Sequence, residues 1–173
     1  MKFYSGFSLK NEISFFKDFV KESQYSVCGF SYGAIKAFRY TQEQLQEGKR
    51  IDTLQLFSPA FFQTKSQKFK RVQIISFTKC KEKYLSSFID GCFFPHAKKD
   101  LQHMQTSIEE LNELLNFQWN QNDLQDLVDK GVVIEVYLGE KDMIIDVESA
   151  RELFLQVSTV TYIKNANHFL QIN

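Results

Sequence analysis

Cys28-Gly29-Phe30-Ser31-Tyr32-Gly33-Ala34 is the stretch on which the reading of this chain turns. It contains Gly-x-Ser-x-Gly between two segments of different period. Tyr25-Ser26-Val27-Cys28 before it reads as a short buried strand. Tyr32 to Leu45 after it places Ile35, Phe38 and Leu45 at helical spacing, with Ala34 and Ala37 beside them. A strand, a sharp turn and a helix in that order make a candidate nucleophile elbow, which lifts one serine hydroxyl clear of the backbone. Glycines two residues before and after the serine suit a turn in which neighbouring backbone leaves no room for a Cβ. The bland reading of the same residues is an ordinary glycine-containing strand-to-helix turn.

Outward from the elbow, the chain alternates. Lys2 to Tyr4 reads as a strand ending at Ser5-Gly6. Ser8 is placed to cap a helix from Leu9 to about Lys21, with Leu9, Ile13, Phe16 and Val20 on one face. Thr53 to Phe57 is a further strand, closed by Ser58-Pro59. From about 60 to 130 the pattern changes to helical spacing over 66–77, 81–90, 107–117 and 122–129, with Val72-Gln73-Ile74-Ile75 ambiguous and Asn122 or Asp123 as the last cap. Val132 to Leu138 is the strongest strand signal, and its β-branched run predicts a strand covered on both faces. A helix near 147–157 leads to a last strand, Thr159 to Ile163. The fold class expected is α/β: a mostly parallel sheet with helices on both faces. The 173 residues are expected to form a single domain, 1–173, with a helical cap insertion at about 60–130.

Composition narrows the function classes. Hydrophobic residues make up 43% of the chain and 18 are Phe, so an aromatic core or pocket is expected. No apolar run is long enough to span a membrane, and the first residues lack a signal peptide's apolar stretch. Cys28, Cys80 and Cys92 are odd in number and lack metal-ligand spacing. Reduced thiols in a cytoplasm, with no metal and no nucleic-acid partner, are the expectation. Cys28 is read as a small core residue. Net charge is zero, yet residues 61–103 carry nine Lys/Arg against three acids, and 104–173 carry four against twelve. The basic middle segment suits an acidic partner or is simply a solvated helix face.

A serine hydroxyl needs a base, and the base a group that holds its tautomer. One chain order for the three is serine, acid, histidine. His168 follows the last strand, whereas His96 and His103 lie in the helical segment. Leu138-Gly139-Glu140-Lys141-Asp142 follows the strongest strand. Asp142 is the leading acid, with Asp146 and Glu140 as rivals, Asp146 being better placed to cap the next helix. The oxyanion amides are assigned to Tyr32, after the serine, and to Phe7, in the loop after the first strand.

With Gly29 to Gly33, Gly139 to Asp142 and His168 in this order, the chain resembles the α/β-hydrolase superfamily over nearly its whole length. The family usually has two strands before the oxyanion loop and a His-Gly-x-Gly loop; here the sequence starts at that loop's strand and reads Ser5-Gly6-Phe7-Ser8. Its minimal start, its elbow, Gly139-Glu140-Lys141-Asp142 and Asn167-His168-Phe169 are similar to the short BioV-type pimeloyl-acyl-carrier-protein methyl ester esterases. That resemblance implies a serine esterase acting without a cofactor on a methyl ester carried by acyl carrier protein in biotin synthesis. It implies carrier docking on Lys65, Lys68, Lys70 and Arg71, and an acyl channel lined by Phe61, Phe62, Phe93, Phe94 and Trp119. Core packing is the simpler account of each aromatic taken alone. The rival readings are a general carboxylesterase or acyl thioesterase, and an inactive binding protein on the same scaffold.

Overall fold

Val27, Leu54, Leu56, Ile134 and Val136 lie on one face of a parallel sheet, and Cys28, Phe30, Phe57 and Tyr137 on the other. Their alternation is the two-residue period of a strand. The computed structural model describes residues Met1–Asn173. In chain order the strands are β1 (Lys2–Tyr4), β2 (Leu9–Lys10), β3 (Ser26–Phe30), β4 (Thr53–Phe57), β5 (Gln102–His103), β6 (Val133–Gly139) and β7 (Thr159–Ile163). The helices are α1 (Tyr32–Gln46), α2 (Gln67–Lys79), α3 (Lys81–Phe93), α4 (Ile108–Asn116), α5 (Gln121–Asp129) and α6 (Val147–Phe154). Five strands form the main sheet in the order β1-β3-β4-β6-β7, every pair parallel. Their carboxyl ends therefore share one edge, the edge at which open α/β sheets place their sites.

The first face is covered by α1, through Ala34, Ile35, Ala37 and Phe38, and by α6, through Ala150 and Phe154. Leu124 and Leu127 of α5 join the same cluster. The second face is covered by an aromatic layer in which Phe16 stacks on Phe57 at 4.7 Å and lies 4.9 Å from Phe30. Phe93 from the end of α3 lies 4.6 Å from Phe169 in that layer. Each fully buried Phe contributes about 1.5–3 kcal/mol.

The helix expected over residues 9–21 is absent. Leu9 and Lys10 instead pair antiparallel with His103 and Gln102, and a 3-10 turn follows at Glu12–Phe16. The cause is tertiary. Leu9 and Lys10 are drawn into the strand pair with β5, and Phe15, Phe16 and Phe19 after them meet aromatic partners of the second face (Phe93 and Phe169, Phe57, and Tyr137). The buried Gln55 side chain on β4 then holds the segment's end. It accepts from Lys21 N and donates to the Phe19 carbonyl. The short β5 is likewise an addition to the expected elements.

Between β4 and β6 stand the four helices α2 to α5, so Val72 to Ile75 are helical. Ser66 caps α2, and Ser107 with Glu110 forms a capping box on α4. The cap of α5 is Asn120, whose side chain accepts from Asn122 N, rather than Asn122 or Asp123. Asp146 caps α6. No helix is long and apolar enough to cross a membrane.

Candidate active site

Ser31 stands between β3 and α1 with φ 52° and ψ −116°, a conformation that L residues rarely adopt. Such strain costs about 1–3 kcal/mol and persists only where neighbours over-determine it. Here they do: Ser31 N donates to the Phe57 carbonyl at 2.9 Å, and the Ser31 carbonyl accepts from Ala34 N and Ala60 N. The flanking glycines are required by close approach. A Cβ on Gly29 would lie 2.3 Å from the Gly33 carbonyl oxygen, and one on Gly33 would lie 2.0 Å from that of Tyr4.

Gly33→Ala therefore drives β1 and α1 apart, because the obstacle is backbone. The expected loss is about 3 kcal/mol, the upper end for overpacking. It is read from the urea midpoint, and a change below about 1 kcal/mol contradicts the wedged elbow.

Asp142 and His168 are brought together. Asp142 lies in the loop after β6 and His168 in the loop after β7, and Asp142 Oδ2 is 2.6 Å from His168 Nδ1 with both side chains buried. The other oxygen, Oδ1, accepts from Ile144 N at 2.8 Å and Ile145 N at 3.4 Å. A carboxylate only accepts, so Nδ1 donates in this bond, and in the neutral imidazole the lone pair is then on Nε2. Nε2 has no partner in the protein. The His168 ring lies 5.0 Å from that of Phe30, the residue before Ser31. The Ser31–Nε2 hydrogen bond is not made here; in unliganded sites such bonds often tighten only around the substrate.

The two loops are stitched to each other. Lys141 N donates to the Ala166 carbonyl at 2.7 Å, and Asn165 N donates to Glu140. Buried Asn167 donates to the Phe93 carbonyl at 2.8 Å and accepts from Phe169 N and Gln171 N, fixing the turn that carries His168. The rival acids are engaged elsewhere. Glu140 is the acceptor for Asn165, and Asp146 caps α6 while accepting from Thr64 Oγ1 at 2.7 Å. His96 bonds the Asn165 carbonyl at an exposed position, and His103 is exposed on β5.

Phe7 and Tyr32 are neighbours, with ring centroids 6.4 Å apart. Neither main-chain amide donates to a carbonyl in the loops and turns. Burial pushes the Tyr32 phenol well above its usual range, with the adjoining Glu113, to which it donates, adding to the shift. Cys28 is fully buried, and its thiol is pushed up to about 12 by that burial, which fits a core residue rather than a nucleophile.

A cleft of about 740 Å³ opens between α2, α3 and α4. It reaches the site loops through Phe7 and through Met143 and Ile144, beside Asp142; neither Ser31 nor His168 lines it. Of the five aromatics expected to line an acyl channel, Phe62 alone does so. Phe61 packs on Phe154, and Trp119 packs there too while its Nε1 donates to the buried Ala60 carbonyl, so both belong to the core under α1 and α6. Phe93 lies in the aromatic layer of the opposite face, and Phe94 is 58% exposed. The basic set also changes. Lys68 and Arg71 are exposed on α2 and Lys65 is half-buried just before it, but Lys70 is only 5% exposed. Its position shares the inward helical stripe with Phe77, seven residues on. Phe88, Leu114, Lys79 and Lys83, which the sequence reading did not single out, line the cleft instead.

No protein-family model matches the chain, and no curated protein does. Solved structures do. A naproxen esterase (carboxylesterase NP) from Bacillus subtilis is 17% identical, with TM-score 0.53, over 85% of this chain and 54% of that one. A bromoperoxidase from Bacillus anthracis is 14% identical, with TM-score 0.62, over 83% of this chain and 60% of that one. A hydrolase from Oleispira antarctica is 13% identical, with TM-score 0.60, over 85% and 59%. The chain thus spans less than two thirds of the length of these proteins. What it shares with them is the architecture, and this chain has the α/β-hydrolase fold.

Proposed function

We propose that this chain is a serine ester hydrolase. The observation that carries the reading is the buried Asp142–His168 pair, whose partnerless Nε2 lies on a ring packed against the residue before a strained elbow serine. In the mechanism, Ser31 Oγ attacks the ester carbonyl as Nε2 takes its proton. Asp142 holds the Nδ1 proton and stabilises the imidazolium. The Phe7 and Tyr32 amides receive the developing oxyanion. Nε2 returns the proton to the leaving alcohol; water, deprotonated by the same nitrogen, then attacks the acyl carbon, and Nε2 gives that proton to Ser31 Oγ as the acid leaves.

For the substrate, the proposal is the methyl ester of a pimeloyl chain on acyl carrier protein. Its support is the apolar cleft beside the site loops, with Lys79 and Lys83 lining it and Lys68 and Arg71 exposed on α2, one of its walls, which suits an acidic carrier. The helices α2 and α3 then serve as the cap. A carrier-independent carboxylesterase is the second reading, favoured by the burial of Lys70. Mass spectrometry of methyl-pimeloyl carrier protein with wild type and Ser31→Ala decides. Loss of one methylene mass only with wild type, thioester intact, supports the methyl esterase. Release of free carrier indicates a thioesterase, and no change returns the search to simple esters.

The docking face has its own test. Reversing Lys68 and Arg71 to Glu is expected to raise KM for the carrier-bound ester about tenfold, to flatten its salt dependence, and to leave a small nitrophenyl ester unaffected. An unchanged KM excludes this face.

A further inference from the structure

We propose that Glu12 is a positioning residue for ester cleavage: its buried carboxyl fixes the peptide that carries the Phe7 amide. This rests on the reading of Ser31 as the nucleophile. Glu12 opens the 3-10 turn after β2 and is 1% exposed. Its Oε1 accepts from Gly6 N at 2.5 Å, which pins the peptide plane before Gly6. The plane after Gly6 is pinned as well, because the Gly6 carbonyl accepts from Leu9 N at 3.1 Å. In a trans peptide the C=O and N–H point in opposite directions. The Phe7 N–H of that same plane is therefore turned away from the Leu9 bond and keeps no acceptor. With both planes fixed, the two dihedrals of Gly6, the residue type least able to hold a conformation unaided, are fixed too.

The loop beyond is stretched over left-handed Ser8 (φ 64°) and Asn11 (φ 65°), so the turn needs an outside tether. A carboxyl is a costly choice for one. Burial raises its affinity for a proton against the opposing pull of the Gly6 amide and the nearby Ser5 hydroxyl, and its second oxygen, Oε2, is buried outside hydrogen-bond geometry with any donor. Such a group beside a free amide is expected where geometry matters more than stability.

The test compares kcat and KM on a short-chain nitrophenyl ester for wild type, Glu12→Met and Glu12→Gln. Methionine keeps the shape and removes the acceptor, whereas glutamine keeps an acceptor oxygen. Glu12→Met is expected to lose about 10–100-fold in kcat with KM within about twofold, less than the roughly 10²–10³ of losing an oxyanion donor outright. Glu12→Gln is expected to recover most of that loss. Wild-type kcat in Glu12→Met, a loss confined to KM, or equal impairment of the two variants overturns the proposal. If Glu12→Met does not fold, Glu12→Asp replaces it. It withdraws the carboxyl by one methylene and should show the same kcat loss, and wild-type kcat there overturns the idea equally. Ser31→Ala is run alongside. Turnover that survives it removes the nucleophile reading, whereas Ser31-dependent turnover indifferent to Glu12 removes only the role of Glu12.

Discussion

Ser31→Ala is expected to lower ester turnover by about 10⁴-fold or more while the protein stays folded. The size follows from the way the three groups act as a unit: without the nucleophile, base and acid have nothing to activate, and only binding and oxyanion donors remain. The fold survives because the features that hold the elbow are main-chain ones, the Phe57 and Ala60 hydrogen bonds, and the alanine keeps them. Two readouts check it: kcat on a nitrophenyl ester, and labelling by a fluorophosphonate, which forms its bond with the serine oxygen and should be lost. Retained turnover at the wild-type rate contradicts the site.

Asp142→Asn is expected to cost about 10⁴-fold in kcat as well. The amide can present its NH₂ to Nδ1, which then becomes the acceptor and leaves the proton on Nε2, the wrong tautomer for a base. Two further bonds bear on the outcome. Ile144 N and Ile145 N both bond to Oδ1, so the asparagine oxygen is held there and the NH₂ is directed at His168. Activity within tenfold of wild type would place the orienting acid elsewhere. Asp146→Asn, which touches the α6 cap instead, is the matched control.

The parts of the fold that were readable are those whose sequence period matches their burial. β3, β4 and β6 are apolar runs covered on both sides, and α1 repeats Ala34, Ile35, Ala37 and Phe38 toward one of them. Residues 9–21 follow a helical period that Phe15, Phe16 and Phe19 share, but Leu9 and Lys10 pair with a strand about ninety residues away and Gln55 holds the segment's end, so tertiary bonds override the period. The two-residue β5 has no period at all. For the candidate site, strand ends and chain order singled out Asp142 and His168, and the structure brings the two side chains to 2.6 Å. The cleft was not legible, because clustered aromatics do not reveal which side of the sheet they face. Phe61 and Phe93 look alike in sequence and lie on opposite faces. Lys70 was readable in principle, since it falls on the same stripe as Phe77. Glu12 and Asn167 were not, because their partners, Gly6 N and the Phe93 carbonyl, are main-chain groups that leave no mark on composition.

The elbow is wedged between two strands that are distant in sequence from it and from each other. Gly33 abuts Tyr4 of β1, and Ser31 is held by Phe57 of β4. A strand, turn and helix cut out of this chain would lack both supports, and Ser31 would relax out of its strained conformation. The motif is thus local in sequence but global in origin. Parallel neighbours meet only through long crossovers, and such non-local pairings form slowly. During folding the Ser31 hydroxyl is set in place only when β1 and β4 have both joined β3, so its placement is a property of the assembled sheet.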